Sequence, residues 1–414
     1  MTGDCVTRTS LRLCVAAVVC FTSIAQAQTS GGNGGKGGQG PSQDVEQVTQ
    51  EAQQTPPAPA FTIDRPLYRA LQDFKKELSD KYGINWAIED TAIYQAGSGS
   101  IDPNDAAVNT FDLFATWKIF RSDNQKDFAG IGFQGEARQN PMSDHFTDMT
   151  AGMGTLWAPN DSTSDQYTRI NQLWWGQRLA EGRLGFIVGK IDPGSNINGN
   201  RFAGSGNTQY FSQPFATNPA KSFPANGMGL ILQGMPVDWL QLNFVMSDSD
   251  ADANSSPFTT IDGRWLYGGE VNFRPVISGL GQGNYRLMLY QRNAEADTEN
   301  GWALSADQNL SESYGVFLRY GGNSGEINSV ENIVSGGFSF LQPFNRPNDQ
   351  AGIGISWTRP SDTSLRDEYS GEVYYRWQVT EGFELSGSAQ MIYDPSANPS
   401  DMEGVFGIRM RILY

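Results

Sequence analysis

The chain has 414 residues, 18% of them charged, with 45 acidic against 29 basic side chains and a formal net charge of −16. That surplus of carboxylates argues against nucleic acid as a partner. All three cysteines, Cys5, Cys14 and Cys20, lie near the start, so the remainder offers no disulfide, thiolate metal site or cysteine nucleophile.

At the front, Arg8 and Arg12 precede an apolar run from Leu13 to Ile24 and the small-x-small site Ala25-Gln26-Ala27. This is the pattern of a secretory signal peptide over 1–27, cleaved after about Ala27. A lipid anchor on Cys20 would need a small residue before it, and Val19 is not one. Residues 28–60 are rich in Gly, Gln and Pro and predict a flexible arm. The glycines around Lys36 do not make a phosphate loop, because Gly37 stands where Ser or Thr is required. Over 61–83, Leu67, Leu71, Phe74, Leu78 and Tyr82 recur at helical spacing, with Pro66 near the start and Gly83 at the stop. One amphipathic helix is predicted there, and alone it would be marginal.

From Ile84 onward the period changes to two. Ile84, Trp86, Ile88, Ala92 and Tyr94 oppose Asn85, Glu89 and Thr91, and Phe111, Leu113, Ala115, Trp117 and Ile119 oppose Asp112, Thr116 and Lys118. The same alternation sets Leu240, Leu242, Phe244 and Met246 against Gln241 and Asn243, and Trp265, Tyr267, Val271 and Phe273 against Glu270, Asn272 and Arg274. Tyr369, Val373, Tyr375, Trp377 and Val379 likewise oppose Glu368, Glu372, Arg376 and Gln378. In the last segment Phe406, Ile408, Met410, Ile412 and Tyr414 oppose Arg409 and Arg411, with Leu413 out of place on the polar parity. Successive strand side chains point to opposite faces, so each segment reads as a strand with one greasy and one wet face. Sixteen such segments begin near 84, 108, 127, 166, 183, 226, 238, 264, 284, 301, 313, 331, 350, 368, 383 and 403. The alternation is weakest over 166–180 and 226–234. Ala180-Glu181-Gly182 and Thr380-Glu381-Gly382 read as short turns between them.

A soluble β-sandwich also alternates, but it would bury a mixed aliphatic core between two sheets. Here Trp and Tyr crowd the apolar parity near strand ends, for example Trp86, Tyr94, Trp239, Tyr267, Trp302, Trp357 and Trp377. Such rings prefer the headgroup region of a bilayer. No apolar stretch after the leader is long enough for a membrane helix. The mean hydropathy of −0.43 does not exclude a membrane protein, since strands that alternate between lipid and water average to a polar sequence. A sheet in hydrocarbon must close, and charges at mid-strand must then face a watery interior. The fold class predicted is all-β: a transmembrane antiparallel β-barrel of about 16 strands over 84–414, preceded by one short amphipathic helix. Its last strand closes the cylinder, with Arg409 and Arg411 facing the lumen.

The stretch "GFIVGKIDPGSNINGNRFAGSGNTQYFSQPFATNP" resembles the carbohydrate-selective porin family of Gram-negative outer membranes. The likeness rests on Gly189, Lys190, Asp192, Asn200, Phe202, Ala203, Tyr210, Phe211, Asn218 and Pro219, and continues through "ALSADQNLSESYGVFLRYG", "FNRPNDQAGIGISW" and "EVYYRWQVTEGFELSGSAQMIYDPSANP". The resemblance implies a barrel with an inward-folded loop narrowing the pore, passive diffusion of sugars and other small neutral solutes, and an outer-membrane location with possible homo-oligomers. The terminal Tyr414, where the family pattern has Phe, and the Gly-rich arm are departures.

Candidate pore-lining residues are then Lys190, Asp192 and Arg201 at or near the constriction loop, with Glu270, Asn272, Arg274, Arg319, Glu372 and Arg376 on the walls. Facing acidic and basic groups suit a sugar, whose hydroxyls both donate and accept. The bland reading is that these groups pair to satisfy the interior. No enzymatic activity, cofactor or metal is expected: the single histidine, His145, lies in a predicted loop without a nucleophile motif. Asp248, Asp250 and Asp252 are spaced like the start of a calcium loop, but Ala253 and Thr259 occupy the positions that demand Gly and Glu. The alternative function is a plugged outer-membrane barrel, filled by the helix or the arm and acting as a binding or structural module.

Overall fold

The computed structural model describes residues 45–414 apart from 55–58, 62–65, 99–102, 124–125, 143, 161–165, 195–196 and 399–401. The leader expected over 1–27 and the first part of the arm lie outside the described residues. Among the described residues two helices come first, α1 (Val45–Glu51) and α2 (Pro66–Tyr82). The second is the helix its spacing predicts. The first is a correction to the flexible arm read over 28–60, since Val45, Val48 and Thr49 are buried within it.

Sixteen long strands follow. The first eight are β1 (Ile84–Gly97), β2 (Asp105–Arg121), β3 (Phe128–Gln139), β4 (Tyr167–Leu179), β5 (Leu184–Ile191), β6 (Gly227–Val237), β7 (Leu240–Asp248) and β8 (Trp265–Phe273). The second eight are β9 (Gly281–Asn293), β10 (Thr298–Asn309), β11 (Tyr314–Asn323), β12 (Val330–Leu341), β13 (Gln350–Pro360), β14 (Glu368–Thr380), β15 (Phe383–Tyr393) and β16 (Met402–Leu413). The weakly patterned segments at 166 and 226 are strands like the rest. A two-residue piece, Val276–Ile277, only extends the hairpin between β8 and β9.

Each strand pairs antiparallel with its sequence neighbours, and β1 also pairs with β16, from Glu89 opposite Leu413 to Gly97 opposite Val405. The sheet is therefore closed. At the seam the Ile88 N–H donates to the Tyr414 carbonyl at 2.7 Å and the Tyr414 N–H donates back at 2.9 Å, so the last residue seals the cylinder.

The two parities separate as predicted. In β16, Phe406, Ile408 and Met410 are exposed on the outer face, whereas Arg409 and Arg411 are buried inside. Outward rings gather at both rims. Trp302 stacks edge-on against Tyr320 at 4.5 Å and Tyr369 lies beside Tyr393 at one end; Trp239 meets Phe273 and Tyr314 meets Phe340 at the other. All long connections leave one end, hereafter the loop end. Short turns and both chain termini of the barrel occupy the other, the terminal end. There the turn Ala180-Glu181-Gly182 is tight enough that all three residues take positive φ, 55°, 58° and 78°.

Helix α2 packs on β1 and β2 at the terminal end. Its Lys75 is buried, donates to the Ala52 carbonyl at 3.0 Å and lies 5.0 Å from the centre of the Trp86 ring. Burial pushes its ammonium down to about 8.

The outer face makes a direct prediction. Ile355 stands at mid-strand with 72% of its surface exposed, whereas the exposed Leu184 begins β5 at the rim. Ile355→Arg should lower the stability of the lipid-inserted barrel by about 2–4 kcal/mol and Leu184→Arg by about 0–1 kcal/mol. Urea unfolding in phospholipid vesicles measures both, and equal losses would contradict a lipid-facing outer wall.

Candidate functional site

The site is the inner wall together with the chain folded against it. Two long connections turn inward. The first, between β3 and β4, carries helix α3 (Phe146–Met153), which ends at Gly154 in the left-handed region, φ 67°. Phe146, Met149 and Met153 form one apolar cluster with Ile93, Val108, Ile392 and Val405 of the inner wall. The Pro159 carbonyl accepts from the Gln95 and Gln390 amides at 3.0 and 2.7 Å. His145 directly precedes α3, and its backbone N–H donates to Asp148 at 3.1 Å.

The second connection, 192–226 between β5 and β6, carries the short helix α4 (Gln213–Ala216) and travels around the interior. A backbone without regular partners inside a barrel leaves its N–H and C=O groups to be satisfied by the wall. The wall supplies them in sequence. Glu270 on β8 accepts from the Asn198 N–H at 2.6 Å, and Ser305 on β10 accepts from the Asn200 amide at 3.1 Å. Arg409 on β16 donates to the carbonyls of Gly206 and Gln209, while Glu89 on β1 accepts from Asn207. Glu372 on β14 takes the N–H groups of both Phe211 and Ser212, at 2.8 and 2.9 Å. Arg319 on β11 reaches the carbonyls of Phe215 and Thr217 at 3.1 and 2.6 Å. Finally Tyr290 on β9 donates to the Ala220 carbonyl at 2.9 Å.

Rings lock the middle of this path. Tyr210 sits 4.7 Å from Tyr374, 5.0 Å from Phe215 and 5.6 Å from Phe317, measured between ring centres. Gly352 on the wall makes this possible, because a Cβ there would lie 2.5 Å from the Tyr374 ring and 2.7 Å from the Tyr210 hydroxyl.

The candidate residues now fall into groups. Lys190, Asp192, Arg201, Glu270, Arg319 and Glu372 are brought to the inward loop or its roots. Lys190 donates to the Ala253 and Ser255 carbonyls at 2.7 and 3.3 Å, tying β5 to the connection between β7 and β8. Asp192 accepts from the Gly194 N–H at 2.8 Å, while burial raises its carboxyl above the usual range. Arg201 pairs with Asp307, which Arg286 also meets at 2.7 Å. Asn272 is buried on β8 away from these contacts. Arg274 and Arg376 stand apart near the terminal end, the first with its backbone N–H on the Trp239 carbonyl, the second reaching the Asn348 carbonyl at 3.4 Å and lying 3.7 Å from Glu384.

Several strong interior groups were absent from that candidate set. Glu89, Asp112 and Glu136 are directly opposed on β1, β2 and β3 and form a transverse row of carboxylates. Arg411 answers it, 2.7 Å from Glu89 and 3.0 Å from Glu384. Asp112 accepts from Gln134 at 2.9 Å, and Arg138 lies 3.2 Å from Glu136. Alternation placed Arg411 and Glu89 indoors, but only the register brings them together. The three loop aspartates serve their own connection: Asp248, Asp250 and Asp252 accept from Thr260, Arg264 and Ser255.

A closed sixteen-stranded barrel with aromatic rims, a charged inner wall and an inward-folded loop is a barrel of the outer-membrane porin type. The particular likeness is to the carbohydrate-selective porins. Residues 252–414 match the family model described as carbohydrate-selective porin, OprB family. Among curated proteins, Porin AaxA of Chlamydia abortus is 24% identical over 262 residues, covering 59% of this chain and 58% of that one. Porin AaxA of Chlamydia trachomatis serovar D is 25% identical over 217 residues, 50% of this chain and 46% of its own. The chain thus spans about half the length of the curated relatives it matches. The high-pH structure of Pseudomonas putida OprB superposes with a TM-score of 0.68 at 16% identity, over 82% of this chain and 96% of that one. Its low-pH structure gives 0.57. These likenesses bear out the resemblance read from the sequence, and the superpositions bear out the fold.

Glu372 is the anchor to test. Glu372→Gln keeps the size but replaces an accepting oxygen by a donor, which cannot serve both Phe211 and Ser212. Each charge-assisted bond of this kind contributes about 1.5–3 kcal/mol, so the variant should stay folded while its inward loop loosens. Proteolysis within 205–217 of the detergent-solubilised barrel should quicken relative to the parent; equal rates would show that Glu372 does not hold the loop.

Proposed function

We propose that the chain is an outer-membrane porin through whose water-filled lumen small hydrophilic solutes diffuse passively, with a preference for sugars. The observation that carries this reading is the inner wall: acidic and basic groups alternate around the inward loop, from Glu270 through Arg286, Asp307, Arg319, Glu372 and Arg409 to Glu89, so that the lining offers both acceptors and donors. A sugar hydroxyl is both donor and acceptor and so matches such a lining, whereas a bare ion meets opposed charges. In this reading the loop end faces outward, the terminal end faces the periplasm, and no reaction or cofactor is involved.

Within the proposal the nine candidates act in two ways. Lys190, Asp192, Arg201, Arg274 and Arg376 set the field along the passage. Glu270, Arg319 and Glu372 set its width by holding the inward loop, and Asn272 does so as part of the wall itself. A second reading, a plugged barrel serving as a binding or structural module, draws support from one fact: α1, the α3 connection and 192–226 all pack against the inner wall.

Swelling of proteoliposomes in a graded series of sugars separates the two. Uptake that falls with sugar size supports the porin, and no swelling with any sugar supports the plug. In planar bilayers Lys190→Ala and Arg201→Ala should each shift ion preference toward cations, since each removes a positive charge from the passage. Unchanged reversal potentials would remove both from the lining.

A further inference from the structure

Residues 45–54 lie inside the barrel wall. The apolar side of α1, Val45 and Val48, shares one buried cluster with Ala87, Phe114 and Trp174, which belong to the inward parity of β1, β2 and β4. Leu413, the residue out of place on the polar parity of the last strand, packs on the same cluster. The polar side is matched as closely. Glu46 stands 2.7 Å from Arg178 and 3.6 Å from Lys118, and Glu51 stands 2.9 Å from Arg411. Gln53 donates to Asn85, and the Ala52 carbonyl takes the Lys75 ammonium, which ties the segment to α2 at the rim.

A helix of seven residues does not hold its own shape in water, so this one is shaped by its seat. The seat lies in the terminal half of the cylinder. Asn85 and Ala87 are near the first residue of β1, and Arg411 is near the last of β16. Arg411 also pairs with Glu89, which holds Asn207 of the inward loop. One guanidinium therefore joins the floor of the loop above to the segment below.

We propose that residues 45–54 form a second constriction of the lumen, on the periplasmic side of the inward loop, and that Glu46 and Glu51 set the charge a passing ion meets there. With the segment seated, Glu46 offsets one of the two positive charges of Lys118 and Arg178, and Glu51 adds a third carboxylate to Glu89 and Glu384 around Arg411. Without those carboxylates the wall groups in contact with the segment and their direct partners, Lys118, Arg178 and Arg411 against Glu89 and Glu384, carry three positive charges to two negative. The segment thus narrows the passage and opposes anion preference at one level. This inference rests on the porin reading.

The test uses the full chain in planar bilayers under a KCl gradient, with folding verified by heat-modifiable electrophoretic migration. Deleting 45–54 should raise single-channel conductance by about twofold, as expected when a side-chain-lined constriction is widened. Glu46→Gln with Glu51→Gln preserves size and should shift the reversal potential toward anions. If both variants conduct and select like the parent, the second constriction is wrong while the porin stands. Seating is read separately by Val48→Cys with a water-soluble maleimide. The buried thiol should label at least tenfold more slowly than Ser311→Cys in an exposed turn, and equal rates overturn the seating even if the parent forms no channel.

Discussion

Closure of the hydrogen-bonded sheet is the constraint from which the rest follows. In hydrocarbon a free strand edge leaves unpaired N–H and C=O groups that cost several kcal/mol each, so β1 must find β16. The Ile88 and Tyr414 backbones meet in both directions at that seam. Once the sheet is closed, every side chain is assigned to lipid or lumen by parity alone. A mid-strand arginine such as Arg409 then has one direction in which it can be solvated or paired.

An inner wall of this kind creates a second problem, and the inward loop answers it. Charged groups crowded inside a cylinder repel or lose water unless partners are supplied. Glu372 finds two backbone N–H groups and a serine hydroxyl, and Arg319 finds two carbonyls. The loop in turn has no sheet of its own and depends on those same groups. Wall and loop therefore satisfy each other, which is why so many of the candidate residues are anchors. In the proposed porin an anchor still shapes conduction, since the position of the loop decides the free width.

Strand positions were legible in the sequence because the alternation records a difference between two solvents that every strand must respect. All the expected strand starts lie close to the observed ones, even at Tyr167 and Gly227 where small or mixed residues blur the pattern. The aromatic rims were legible for the same reason. Less visible was anything that depends on register across strands distant in the chain. Arg411 lies 322 residues from Glu89 and 360 from Glu51, and no local spacing connects them. Helix α1 was hidden further by composition, since its few apolar residues sit in a Gly-, Gln- and Pro-rich stretch and its complementary surface is on the strands.

A trace of those contacts was nevertheless present as violations of the alternation. Ile93, Val108, Phe114, Trp174, Phe317 and Tyr374 are apolar or aromatic residues on the inward parity, where water alone would favour polar ones. Each belongs to a cluster with a segment that lies inside: Ile93 and Val108 with α3, Phe317 and Tyr374 with Tyr210 and Phe215, Phe114 and Trp174 with α1. An empty aqueous lumen would not stabilise such residues at these positions, since burying a large apolar side chain is favourable by about 1.5–3 kcal/mol only where something covers it. The inward apolar residues are thus the footprints of the folded-in chain. Read as a set they mark three separate landing areas on the wall, two reached from the loop end and one from the terminal end.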